Sequence, residues 1–183
     1  MTRIPYLAED EAPQAVAKRL QALPDLNIFK LMAHAHDSFD AWLRLGVSLL
    51  TDLSLNPDLR ELAILRVAHL TPGAEYEWVQ HEAIAREIGV SPERVASARY
   101  AAPAAPDDAL VLSFTEQIIL QASPDDETFT ACAERFGNRK IIELLMVIGQ
   151  YMMLGRVMAT AQIDIDLPTH LDRLVHRPKD GCA

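Results

Sequence analysis

The stretch RELAILRVAHLTPGAEYEWVQHEAIAREIGVS, residues 60–91, holds two runs whose apolar residues recur at intervals of three and four, separated by Thr71-Pro72-Gly73. That spacing is helical, and the proline-glycine pair marks the turn between two helices. In the second helix, steps of about 100° per residue put Glu77, His81, Ile84 and Ile88 in one narrow sector, with Trp78 and Ala85 beside them. Glu75, Val79, Glu82 and Arg86 take the opposite side, with Tyr76, Gln80 and Glu87 between. A carboxylate and an imidazole therefore share the apolar stripe as surface neighbours. An unpaired charge facing a core is costly, so the pair is expected to meet partners, water, a metal or a ligand.

The first helix has no solvent face. Its charged residues Asp58, Arg60, Glu61, Arg66 and His69 scatter around the whole circumference, with leucine, alanine and valine between them. A helix of this kind is packed on several sides, and its charges are expected to be buried or at subunit contacts, each with a counter-group. Glu61 shares a side with Ile64, Leu65 and Ala68 and is the residue expected to reach the next helix and orient His81.

The same periodicity runs through the chain, and nothing alternates as a strand would. Helices are predicted over 12–22, 28–52 (divisible near His36), 57–70, 74–88, 92–100, 107–122, 125–136 and 139–163. Asn56-Pro57 and Ser91-Pro92-Glu93 offer N-caps followed by proline, 123–127 places acids at a helix start, and Gly89 and Gly137 suit C-terminal caps. His69, near a helix end, is read as complementing the helix dipole. The linker-like AAPAAPDD, 101–108, is too short to separate independent domains. The expectation is one all-α domain over 1–183, a core motif at 57–90 and a solvated polar tail at 168–183 containing His170 and His176. The apolar run 141–159 is interrupted by Glu143, Gln150 and Arg156 and reads as a central helix buried all round rather than a membrane span. RELAILRVA and IIELLMVIG, 60–68 and 141–149, echo each other weakly.

Composition narrows the function classes. Half of the 183 residues are apolar and the formal net charge is −9, which suits a sizeable core and argues against a nucleic-acid partner. The two cysteines, Cys132 and Cys182, form neither a disulfide framework nor a CxxC pair, which fits a reducing compartment. The N-terminal stretch carries acids and prolines where an export signal would be apolar. A soluble cytoplasmic protein without a membrane partner is expected.

The block 60–91 resembles the carboxymuconolactone decarboxylase family, whose fold is shared with the alkylhydroperoxidase D-like proteins. LPDLNIFKLMAH, 23–34, and the last long helix through Gln150-Tyr151 are similar to its small bacterial members. The resemblance implies an alkylhydroperoxidase D-like helical bundle, built around a helical hairpin, that assembles as a homo-oligomer, a trimer or hexamer. Met146, Met152, Met153 and Met158 on one helix accord with apolar surface buried between chains. The peroxidase branch carries CxxC, a histidine four residues after the second cysteine, and an upstream glutamate in proton relay. Those positions fall here on Ala74, Glu77, His81 and Glu61, so no sulfur is present and thiol-based peroxide reduction is disfavoured. Met152 stands where relatives often carry asparagine.

The functional expectation is acid–base chemistry by Glu61, Glu77 and His81. His81 would exchange the proton, Glu61 would fix its tautomer, and Glu77 would be a second proton carrier. The substrate would be a small lactone or keto acid, acted on by a lyase or isomerase without cofactor. Tyr76, Trp78, Tyr151 and His34 are the candidate substrate-binding residues. A Glu61, Glu77, His81 metal site lacks a second histidine, so no metal is assigned. The competing reading makes the Glu–His pair structural, in a non-catalytic oligomer that binds a ligand or serves as a scaffold.

Overall fold

The computed structural model describes residues 2–100, 103 and 105–174, and among them every regular element is helical. In chain order these are α1 (Gln14–Gln21), α2 (Asn27–Met32), α3 (His36–Thr51), α4 (Pro57–Leu70), α5 (Glu75–Glu87), α6 (Pro92–Tyr100), α7 (Pro106–Gln121), α8 (Asp126–Ala161) and α9 (Leu171–Leu174). The region expected as 28–52 divides into α2 and α3, with the break before His36. The two helices expected over 125–163 run together as α8, interrupted at Gly137, whose φ of 74° and ψ of 163° leave the helical region. The single turn α9 has no apolar periodicity to announce it.

The capping chemistry holds in part. Asp125 accepts from Thr128 N–H at 2.7 Å at the start of α8, and Ser91 Oγ from Arg94 N–H at 3.4 Å at the start of α6. Asn56 makes no side-chain cap; Pro57 opens α4 without a donor to satisfy, and Asp58 Oδ1 takes the Leu59 N–H at 2.9 Å.

Every residue of α4 from Leu59 to Ala68 is buried, and α5, α6, α7 and α8 all pack against it. Its charges find their counter-groups within the chain. Arg66 donates to the carbonyls of Ala98 (3.0 Å) and Arg99 (3.2 Å) and pairs with Glu116, which fastens the C-terminal end of α6 to α4. Arg60 turns the other way, toward the Leu50 carbonyl and Glu61.

The sequence expectation for α8 needs correction, because the helix is not buried all round. Ile141, Leu144, Val147, Ile148, Tyr151, Leu154 and Met158 face the core, while Ile142, Met146 and Met153 stand 56%, 46% and 41% exposed on the other side. By length and composition α8 could cross a membrane, yet more than half of its apolar window is buried in the protein, as in a core helix. The two echoing glutamates also part company. Glu143 accepts from the backbone N–H groups of Ser54 (2.9 Å) and Leu55 (2.8 Å) and so ties the α3–α4 loop to α8. Glu61 lies on the opposite business of the fold, between α4 and α5.

Residues 162–174 are not a free tail over the part the structure describes. They return as a strap across α2 and α5. Asp166 accepts from the Asn27 N–H and the Tyr76 hydroxyl, both at 2.7 Å. Gln80 donates to the Leu167 carbonyl at 3.3 Å and accepts from Thr169 N–H at 3.1 Å, and Leu171 N–H donates to Glu87 at 3.1 Å. His170, expected to be solvated, is exposed but sits 3.5 Å from Glu87. His176 and Cys182 lie outside the described residues.

The α4–α5 turn is held against α8 by two close approaches. Gly73 has φ of +86°, and a Cβ there would meet Ala159 Cβ at 2.9 Å; at Gly155 it would meet Thr71 Cγ2 at 3.1 Å. This contact fixes where α5 starts and hence which α8 residues its inner face meets. Gly73→Ala is expected to lower stability by about 1–3 kcal/mol through strained backbone and steric conflict. Gly46→Ala, in α3 with open space about the new Cβ, is expected to be neutral or to stabilise by up to about 1 kcal/mol; urea unfolding of the two variants checks the contrast.

Candidate active site

The inner face of α5 carries Tyr76, Glu77, Gln80, His81 and Ile84 into a cavity of about 100 Å³. Two of these, Tyr76 and Gln80, fell between the inner and outer faces in the sequence. They are buried because the strap covers that flank of the helix. α2 and α3 form the opposite wall through Phe29, Trp42, Leu43 and Val47, and α8 closes the space with Gln150, Tyr151, Leu154 and Met158. Leu174 of α9 also reaches it. The lining is mostly apolar, so the few polar groups dominate its chemistry.

A continuous chain of charge runs into this cavity from α4. Arg60 Nε donates to Glu61 Oε1 at 2.8 Å. The second Glu61 oxygen lies 2.7 Å from His81 Nδ1, and His81 Nε2 lies 3.4 Å from Glu77 Oε2. Glu61 is completely buried, and Glu77 and His81 nearly so. Glu61 does not itself line the cavity; His81 and Glu77 do. The Tyr151 ring stands edge-on to His81, centroids 4.7 Å apart at 86°, which holds the imidazole plane.

The same geometry sets the protonation states. Burial works to raise the Glu61 pKa, but the His81 charge and hydrogen bond, with Arg60, bring it below the ordinary carboxylate range. Glu61 is therefore an anion that accepts the His81 Nδ1–H and leaves Nε2 toward the cavity. Burial works against the His81 cation, yet Glu61 and then Glu77 raise its pKa above that of free histidine. Among the described residues Glu77 has no permanent cation beside it. Burial pushes its carboxyl up to about 7, with Glu61 adding to the rise and His81 opposing it. Burial and the two glutamates keep Tyr151 protonated as a hydrogen-bond donor.

Two expected binding residues are elsewhere. Trp78 faces away from the cavity: its Nε1 donates to Glu82 at 2.7 Å, and the Arg99 guanidinium lies 3.8 Å above its ring. One position along the helix was enough to move it to the side covered by α6. His34 is exposed, and its Nε2 meets the Pro5 carbonyl at 2.8 Å, fixing the N-terminal segment rather than a ligand. His69 does not complement a helix dipole either. Burial, then the nearby Arg66 and Arg99 charges, lower its pKa and favour the neutral ring. Cys132 is remote from the cavity, bonded to the Leu110 carbonyl, and burial pushes its thiol up to about 11, so it has no thiolate character. Among the described residues no group of three or more His, Cys, Asp and Glu side chains is placed to hold a metal ion. The wall residues Gln80, Gln150 and Trp42 were not anticipated as site residues; they come from three helices, and no sequence spacing links them.

Residues 36–114 match the model of the carboxymuconolactone decarboxylase family. No curated protein matches the sequence. A crystal structure described as an alkylhydroperoxidase AhpD core, an uncharacterized peroxidase-related protein from Ralstonia eutropha JMP134, is similar over nearly the whole chain. It is 19% identical, covers 95% of this chain and 94% of its own, and has a TM-score of 0.78. The AhpD-like fold is thus shown for the chain, and the family segment contains Glu61, Glu77 and His81.

Because Glu77 titrates near 7 when folded against an ordinary 4.5, the folded state holds that proton more tightly. Its ionisation therefore costs stability increasingly as pH rises from about 4.5 to 7, whereas the depressed Glu61 loses its contribution as pH falls. Glu77→Gln should gain stability relative to the parent between pH 5 and pH 8, by up to about 3 kcal/mol. Urea unfolding across that pH range reads the difference.

Proposed function

We propose that this chain, with its carboxymuconolactone decarboxylase family segment on an AhpD-like fold, is a cofactor-free lyase or isomerase of a small lactone or keto acid. The observation that carries this reading is the Glu61–His81–Glu77 relay ending in an apolar cavity, with Glu77 titrating near neutrality. Glu61 is a positioning residue that holds the His81 tautomer. His81 Nε2 and Glu77 are the catalytic residues and share a proton at neutral pH.

In a decarboxylation, the carbon–carbon bond to the carboxylate breaks, carbon dioxide leaves, and the electron pair stays on the substrate as an enolate. The His81 Nε2 proton passes to the carbon, and water restores it through Glu77. In an isomerisation the same pair removes a proton at one carbon and returns it at another. Arg60 keeps Glu61 anionic throughout, and the apolar walls hold water away from the enolate. The alternative function, ligand binding without turnover, uses the same cavity and leaves the proton relay idle.

His81→Gln and Glu77→Gln are each expected to lower kcat/KM by about 10²–10⁴-fold on a substrate found among lactones and keto acids. The Glu77 variant should also lose the limb of the pH profile near 7. If the panel yields ligands that raise the parent's melting temperature but none that turns over, the binding-only reading takes its place.

The exposed Ile142, Met146 and Met153 form a stripe on α8, with Gly149 between them and open space about its α-carbon. We propose that a second copy of the chain covers this stripe in a cytoplasmic homo-oligomer, because the stripe has no charge of its own and the bare glycine allows another helix close. Met146→Glu should shift sedimentation toward smaller species without lowering the monomer's helix content.

A further inference from the structure

Two polar groups in the cavity are not used by the proton relay. Gln150 is only 7% exposed and lines the cavity, and its amide has no hydrogen-bond partner among the described residues. Tyr151, 6% exposed on the same helix, contributes a hydroxyl in the same condition. Trp42, across the cavity on α3, adds an indole N–H that is buried and unpaired. A buried polar group left unsatisfied is costly, which applies to the Trp42 N–H, while the Gln150 amide and Tyr151 hydroxyl line the same cavity from α8 and are available to an occupant. None of the three carries charge. Among the described residues the two cations nearest the cavity, Arg60 and His81, are already paired with Glu61 and Glu77, and neither of them is left free to receive an anionic ligand.

Volume restricts the occupant further. About 100 Å³ is less than the roughly 150 Å³ of an engineered apolar cavity that admits benzene. A ring of five atoms with one attached oxygen suits a space of that size.

We propose that the cavity binds a compact, uncharged carbonyl compound of about six non-hydrogen atoms, its oxygen held by the Gln150 amide and the Tyr151 hydroxyl. The inference rests on the proposed site but narrows it: among the substrates considered above it selects neutral ring carbonyls over keto acids. Gln150 is assigned as a positioning residue that aligns the carbonyl against His81 Nε2, so that the carbon beside it receives or gives up the proton.

The test uses three probes of similar size: cyclopentanone, cyclopentane and pyruvate. Binding to the full chain is followed by NMR of the Met158 methyl group and the His81 ring, both in the cavity wall. Cyclopentanone is expected to bind about tenfold more tightly than cyclopentane, and pyruvate more weakly than either. Gln150→Met, nearly isosteric and apolar, should erase the preference for cyclopentanone and leave cyclopentane unchanged or tighter. Tyr151→Phe should reduce the same preference and serves as the second variant if the first melts too low. Equal affinity for the two neutral probes, a preference for pyruvate, no binding of any probe, or variants indistinguishable from the parent would each overturn the proposal. Binding is read without turnover, so this result is independent of the catalytic reading: the probe preference can stand while Glu77→Gln proves silent in assay, or the reverse.

Discussion

A fully buried carboxylate needs two donors, and the placement of Glu61 between Arg60 and His81 answers that need. Each group would be unfavourable alone in this interior, and removing one partner of such a set typically costs about 3–5 kcal/mol. The three therefore fix one another. Arg60 anchors the carboxylate from within α4 and from the end of α3, through the Leu50 carbonyl. The carboxylate in turn fixes the register of α5, because only one turn of that helix brings His81 within 2.7 Å. The inner face of α5, and with it the cavity, takes its orientation from this bond.

Glu77 shows what burial does to a carboxyl that has no permanent cation beside it among the described residues. At that position the peroxidase branch would carry sulfur, whose chemistry depends on a stabilised anion. A carboxyl in the same apolar surroundings behaves differently: burial favours its neutral form and brings its pKa to about 7. The neighbouring imidazole is oriented by the acid behind it, so this carboxyl meets a ring whose tautomer is already fixed.

The sequence was informative wherever local rules act. Helix positions, the Gly137 break, the inner sector of α5 and the Glu61–His81 contact follow from periodicity, glycine and the cost of an unpaired charge. It was poor wherever a partner arrives from a distance. Tyr76 and Gln80 lie between the two faces on a helical wheel, and the strap that buries them lies about ninety positions further along the chain. Trp78 had an ambiguous angle, and only the packing of α6, with Arg99 over the ring, decides its side. The continuous apolar character of α8 hid its two faces: one packs on α4 and lines the cavity, while the other presents Met146 and Met153 to the exterior.

The strap has a consequence for biosynthesis. Residues 162–174 are translated after every helix they cover, so α2, α3, α5 and α8 can collapse on one another while the apolar chamber is still roofless. The strap's fasteners, Asp166 on Tyr76 and Thr169 on Gln80, join residues far apart in the chain, and contacts of such long range form late. Until they do, a nascent chain shows its greasiest concavity to the surrounding solvent.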